Sequence, residues 1–524
     1  MRKSPPPEDW KSSSPRLSDD RSPDIAGGPA HQSTAQALRP VASRIVPISR
    51  RFRARDFGLE RKGGRESGER EGKKAEKGGG KKGEKRRGKI YKRDAKSCIL
   101  ELEKTTTRNM KGGVPNAELA MKKLLTHMKR VYQIPQKIKG LTDHREKKQI
   151  SHVEVVIAVL VMLILQYESF HTVFTAPESM DKRLKHVIKG RVPKVDTVRD
   201  VLTRTDAGEV EGILTSVIRR VRRNRVLQQP GTIGRYVVAA IDGVELFSST
   251  KKSCPECLTR KRDGGKRTEY FHRSVVCASI GKSPHVIFGQ EMLRPRDGGE
   301  KDEGELTGGK RLIKRLHQEH SHFADVIVAD ALYLNAPFIN TVLECKMDAV
   351  IRLKDESRCI FRDAEGLFQK GSGRQEGFCK GKTSVEVWDL SGFEIEGCEK
   401  TLRVVKFQET IQGQKESHFI WLVTTLESTP PQLLWEMMHK RWDIEENAFH
   451  QLKTYYHADH CYCHSAVEVI FLLMLIAFNM RELYLYRRLK NFRKRKITLK
   501  SVTRLFCDQL LLEDFTQLLY DDSG

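Results

Sequence analysis

Three acidic residues of this chain stand where a carboxylate is costly unless something neutralises it. Asp242 ends the apolar run VVAAIDG, Asp330 ends the run in VIVADALY, and Glu445 lies in the helix-forming RWDIEENAFHQLK. Two such strands side by side, with a helix delivering the third carboxylate, would build an oxygen-ligand cage for a divalent cation. Magnesium, or manganese in its place, suits that cage, because it binds through a few carboxylates and keeps water and phosphate oxygens as other ligands. A pair of such ions about 4 Å apart activates a nucleophile and stabilises the leaving oxygen of a phosphodiester. That chemistry needs no protein nucleophile. Taken singly, each acid has a plainer reading. An Asp-Gly after a strand is usually a turn, and a Glu in a charged helix is usually solvated. The combination carries the expectation.

A second group is built on sulfur. Cys254 and Cys257 have CxxC spacing, and with His272 and Cys277 they give CxxC-x14-H-x4-C. Two thiols with a later His and Cys fit a tetrahedral zinc site. The plainer reading is a turn followed by a buried thiol, since Cys277 sits inside the apolar SVVCASIG. A redox role is disfavoured, because the pair does not open a helix in a thioredoxin-like unit. The word HADHCYCHS holds His457, His460, Cys461, Cys463 and His464. Its composition suggests metal, but the preferred reading is hydrogen-bonded support beside the carboxylate site. The Gly-rich RDGGEKDEGELTGGK lacks the Lys-Ser/Thr ending of a phosphate-binding loop.

The elements that must position these groups follow from hydrophobic period. From about Ala117 the period is helical, with ELAMKKLLTHMKRVYQI and the apolar Ile150–Phe170 reading as helices. Pro193 and Asp196 precede the helix Thr197–Thr203, where free N–H groups favour such residues. GEVEGILTSVIRRVRRNRVL is amphipathic and basic on one side, read as a solvated face. After Pro230 the pattern shifts to β-branched runs: Arg235–Phe247, SVVCASIG, HVIFGQEML, ADVIVADALY, DAVIRLK and SHFIWLVTTL read as strands. GKRLIKRLHQEH and NAPFINTVLECK read as helices. Residues 355–416 are Gly-rich with short alternating pieces and read as a β-rich insertion. PPQLLWEMMHKRWDIEENAFHQLKTYY reads as one long helix opened by a Pro pair.

Composition bounds the partner. The chain has 524 residues, 95 Lys+Arg against 68 Asp+Glu, and a formal net charge of +27. Such an excess points to an acidic partner, either nucleic acid or an anionic membrane surface, which charge alone does not separate. The longest apolar runs, Val155–Leu165 and Val469–Phe478, fall short of the ~20 residues of a spanning helix, so no membrane partner is expected. Eleven Cys, an odd number, with no export signal at the N-terminus, favour reduced thiols in a cytoplasmic setting. Residues 1–110 hold 29 basic and 15 acidic residues, a net of +14. They carry too few apolar groups to offset ordering entropy and read as a disordered basic tail. A start at Met110 or Met121 is an alternative reading of that segment. The division expected is 1–110 tail, 117–229 helical DNA-binding or dimerisation region, 230–490 catalytic α/β domain and 491–524 helical tail.

The words IDG, VIVADALY, LVTTL and RWDIEENAFHQLKTYYHADHCYCH resemble those of the DDE transposases of bacterial insertion sequences, family-four type, over roughly Leu141 to Arg488. The resemblance implies an RNase H-like catalytic core interrupted by the β-rich insertion. It implies magnesium-dependent cleavage at transposon ends and strand transfer, acting on double-stranded DNA (terminal repeats and target) as a homodimer near the bacterial nucleoid. Carried over, Asp242, Asp330 and Glu445 would be the metal-binding catalytic triad, and Arg441 and Lys453 would grip DNA phosphates. Two positions depart from the pattern. A Tyr expected three residues before Arg441 is Met438. Lys453 lies eight residues past Glu445 where seven is usual, and seven past Glu446, which leaves Glu446 open as the third acid. At about 100° per residue, eight steps rotate a side chain by about 80°. Two other readings remain: a DNA-binding relic without catalysis, and a different RNase H-like nuclease.

Overall fold

The computed structural model describes residues 120–146, 148–175, 185–296, 301–414, 416–494, 498–510 and 514–521. The basic tail expected at 1–110 lies outside the described residues. Among the described residues ten strands form one mixed sheet: β1 (Val238–Ser249), β2 (Leu258–Arg262), β3 (Arg267–Ser279), β4 (Ile287–Met292), β5 (Val326–Ala329), β6 (Asp348–Leu353), β7 (Arg374–Lys380), β8 (Thr383–Phe393), β9 (Leu402–Ile411) and β10 (Ser417–Thr424). Their order is β2-β3-β1-β5-β6-β10-β9-β8-β7, with β4 also on β3. β1, β5 and β6 run parallel, and the other pairings are antiparallel.

The parallel centre is apolar on both faces, as strands covered by helices must be. Val238 to Ile241, Val326 to Ala329 and Ala349 to Ile351 are all buried. Each large apolar side chain among them contributes about 1.5–3 kcal/mol on burial. A slip of one residue would turn every one to the wrong face, so this burial pins the register that carries the two aspartates. One expectation is corrected here. Asp242 does not end its strand: β1 runs on through Gly243 to Ser249, because β3 pairs with it along that whole length. Asp330, by contrast, directly follows β5.

Residues 355–416 are β-rich as expected, with one helix, Cys359–Gln369. They do not stand apart. β9 hydrogen-bonds to β10 and β10 to β6, so the stretch extends the main sheet.

Helices cover the sheet. Glu305–His320 packs on β3, β4 and β1, and the long Val467–Lys494 packs on His152–Ile164 and Ala207–Arg223. Asp206 caps Ala207–Arg223 by accepting from the Glu209 N–H at 2.9 Å. The basic side of that helix is not simply solvated. Arg219 and Arg220 donate to the carbonyls of Glu319 (3.3 Å) and Val131 (3.0 Å), and Arg222 donates to that of His320. These guanidinium groups brace loop and helix ends that lack backbone partners.

The C-terminal helices Leu499–Gln509 and Thr516–Tyr520 return to Ala120–His127. There the Met121 N–H donates to the Gln509 side chain at 2.6 Å, and Lys139 donates to the Tyr520 carbonyl at 2.8 Å. All described residues fall within one compact unit, 93–524. Among them no helix is long and apolar enough to cross a membrane.

Candidate functional site

The strand pairing sets the two aspartates level. β1 and β5 are in register at Val238 with Val326, Ala239 with Ile327 and Ala240 with Val328. Two more residues along each chain bring Asp242 beside Asp330. The sequence interval between the aspartates is the same as the register offset, so both arrive at one end of the parallel centre.

Glu445 reaches them from the helical segment after Pro431–Lys440. Arg441, itself buried, links the group: its Nη1 lies 3.6 Å from Asp242 Oδ2 and 3.2 Å from Glu445 Oε1. That nitrogen makes no hydrogen bond of good geometry, so the interaction is charge balance. Asp330 is held separately by Lys354, 3.2 Å away at the end of β6.

The electrostatics separate the three acids. Burial pushes Asp242 above the ordinary carboxylate range; the Gly243 N–H and Arg441 oppose this, and Asp330 adds to it. Burial likewise raises Glu445, opposed by Arg441 and reinforced by Asp242 and Asp330. Burial acts on Asp330 too, but Lys354 and Arg441 outweigh it and hold the group below its usual value. Asp242 thus feels Asp330, and Glu445 feels both aspartates, while Asp330 is governed by its cationic neighbours. Two carboxylates level with one another and a third across Arg441 offer hard oxygen donors of the kind that magnesium or manganese takes.

A fourth acid was not expected. Glu305, at the start of the helix Glu305–His320, lies against Gly243: a Cβ at Gly243 would stand 2.5 Å from its carboxyl carbon. The Asp-Gly pair is therefore not a turn. The glycine leaves room for a carboxylate, which Arg273 pairs. Burial raises Glu305 above its usual range, with Arg273 opposing and Asp242 and Asp330 reinforcing.

The acids of the Trp-Asp-Ile-Glu-Glu word divide three ways. Asp443 is buried and accepts from the Gly281 N–H at 2.9 Å, which fastens the helix to the loop after β3. Glu445 meets Arg441. Glu446 is exposed. Of the two glutamates, Glu445 is the one that shares Arg441 with Asp242.

The eight-residue step to Lys453 has a structural cause. Ile444–Phe449 is a π-helical turn, followed by the α-helix His450–Thr454. A π turn closes with one residue more than an α turn. The extra residue is absorbed, and Lys453 returns to within about 20° of the Glu445 direction, as seven α-helical steps would. The single long helix expected for this region is thus interrupted. Met438 is buried in the core and cannot do at a surface what a Tyr there would. Trp442, also unanticipated, is 53% exposed with the Arg441 guanidinium 4.6 Å from its ring centre.

The sulfur group takes a different form from that expected. Cys254, Cys257 and His272 converge, but the fourth member is His464, and their ligand atoms all lie within 4.8 Å of one another. Cys277 is excluded. It is five residues from His272 on β3, and an odd separation puts two side chains on opposite faces of a sheet; Cys277 is wholly buried. His464 comes from the HADHCYCHS word, whose other members play no part in this cluster. Burial, then His464, pushes the His272 imidazole down to about 4.

Residues 259–480 match the family model described as the transposase DDE domain. The match includes Asp330, Arg441, Glu445, Lys453 and His464, and begins after Asp242. No curated protein matches the chain. Among solved structures, a cryo-EM structure of a piggyBac transposase synaptic complex with hairpin DNA is similar at 14% identity. Its TM-score is 0.38, covering 76% of this chain and 80% of that one. Over residues 259–480, then, this chain is similar to transposase DDE domains.

Proposed function

We propose that the chain is a DNA transposase that cuts at transposon ends and transfers the freed strands to target DNA. The observation that carries this reading is the level placement of Asp242 and Asp330 on adjacent parallel strands, with Glu445 joined to Asp242 through Arg441. The strand order supports an RNase H-like core: an antiparallel group β4-β3-β1, then β5 and β6 parallel to β1. The helices before β1 would form a DNA-binding or dimerisation part, and the basic excess of the chain suits a polyanionic substrate.

Asp242, Asp330 and Glu445 would hold the divalent ions. Bound there, magnesium or manganese would supply the polarisation of a scissile phosphodiester and the stabilisation of its leaving oxygen. Arg441 sets the charge balance among the carboxylates. Lys453, on the same face of the helical segment, would meet the DNA backbone. A homodimer on double-stranded DNA is the assembly this reading implies.

Asp242→Ala and Asp330→Ala each remove an ionic ligand from a site already rich in basic neighbours. Both variants are expected to lose magnesium-dependent nicking of supercoiled plasmid by at least about 100-fold, with DNA binding intact or tighter. Retained metal-dependent cleavage in both would sink the catalytic assignment. Wild-type binding without any cleavage would instead leave a DNA-binding relic. Cleavage without strand-transfer products of defined ends would leave another nuclease of this fold.

A further inference from the structure

We propose that Cys254, Cys257, His272 and His464 bind one zinc ion that straps the β1–β2 loop and β3 to the segment after the helix His450–Thr454. The four residues come from three separated stretches. Cys254 and Cys257 lie in the loop after β1, His272 is on β3, and His464 opens the short turn before the helix Val467–Lys494. Nothing local in the sequence forces His464 to meet residues some 200 positions earlier.

The distances suit a tetrahedral centre. Cys254 Sγ lies 3.6 Å from Cys257 Sγ, and both lie 3.3 Å from His272 Nε2. Cys257 Sγ lies 3.0 Å from His464 Nε2. A tetrahedron with Zn–S of about 2.3 Å and Zn–N of about 2.0 Å has edges of roughly 3.3–3.8 Å. The sulfurs are too far apart for a disulfide, so both thiols are free for a metal.

Donor chemistry selects the ion. Two thiolates neutralise a divalent charge, and two imidazoles complete the four-coordinate set typical of structural zinc. Magnesium and calcium prefer oxygen donors, and iron–sulfur clusters generally take four thiolates or place two His on one iron of a larger centre.

The surroundings hold the donors in place. Phe247 packs on both imidazoles, with ring centres 5.4 Å from His272 and 5.3 Å from His464. The Cys254 N–H donates to Cys257 Sγ at 3.4 Å, and the Cys257 N–H donates to the Cys254 carbonyl at 3.2 Å. This closes the CxxC turn and supports the charge of a bound thiolate. A cavity of about 410 Å³ lined by Cys254, His272 and His464 gives the metal access.

The strap has a mechanical consequence. β1 carries Asp242, and Glu445 precedes His464 along the chain with only the His450–Thr454 helix and a loop between them. Zinc would fix the far end of that loop to the sheet, so the ion is structural and distinct from the carboxylate site.

The test is metal content of the full chain, purified under reducing conditions and incubated with zinc alone, with no DNA or magnesium present. Its outcome is therefore independent of the transposase reading. About one zinc per chain is expected, falling at least about fivefold in Cys257→Ser and in His464→Ala. His464→Cys should keep the metal, since a thiolate replaces the imidazole, and Cys277→Ser should keep it too. If Cys257→Ser does not fold, the His464→Ala and His464→Cys pair decides. Wild type without zinc, His464→Ala with undiminished zinc, or Cys277→Ser as depleted as His464→Ala would each overturn the proposal.

Discussion

Gly243 shows how much one missing side chain can do beside a carboxylate cluster. Its absent Cβ is the space that the Glu305 carboxyl fills, and Arg273 holds that carboxyl in place. An alanine there cannot be met by a small relaxation, because the contact would be 2.5 Å and the acid is paired. Gly243→Ala is therefore expected to destabilise the protein by about 1–3 kcal/mol, the usual range for overpacking. In a Glu305→Ala background the obstacle is gone, and the same substitution should cost close to nothing. Chemical denaturation of the four proteins gives the coupling. An equal cost in both backgrounds would show that Glu305 is not what excludes a side chain. The pairing was illegible in the sequence, because Glu305 and Gly243 meet only across the packed sheet and helix. The Asp242–Asp330 pair was legible, since two apolar runs each ending in Asp leave few registers that bury both.

The π turn is the element-scale counterpart. The buried residues of this segment are Ile444, Ala448, Phe449 and Leu452. The first gap, of four residues, falls inside the π turn, which closes with one residue more than an α turn. One extra residue inside the first turn accounts for the pattern, and Glu446 is exposed within it. Deleting Glu446 should restore regular α-helix, keep all four apolar side chains in the core and leave Glu445 and Lys453 on one face. The expected change in stability is under about 1 kcal/mol. Inserting Ala after Glu446 adds a second surplus residue. Either it rotates Leu452 and Lys453 by about 100° or it strains the turn further, so a loss of several kcal/mol is expected. Thermal unfolding of the two variants distinguishes them, and equal losses would sink the account. The sequence showed a helix here and even the odd eight-residue step. It did not show the remedy, because a π turn is chosen by the core it must match. At Asp242-Gly243, likewise, local turn propensity is overruled by the long β3 partner.

At the scale of the whole molecule the question is where the +27 acts. Residues 1–110 carry +14 of it, which leaves +13 on the remaining 414 residues. The described fold begins only at residue 120, and its first helix is anchored by Met121 and the returning C-terminal helices. Among the described residues, every group of the carboxylate site lies after that helix. Affinity for DNA and cleavage should therefore separate. Each phosphate neutralised contributes about −0.9 to the slope of log affinity against log salt. If even a third of the excess charge on residues 1–110 meets phosphates, a chain beginning at Met110 should show a slope shallower by roughly 4. Its metal-dependent nicking at saturating DNA should be within about twofold of the full chain. Equal slopes would mean that these residues contribute nothing to binding, and the basic surface of the folded part would then supply the affinity. Lost nicking with folding intact would place a catalytic requirement before Met110, where the carboxylate geometry gives none.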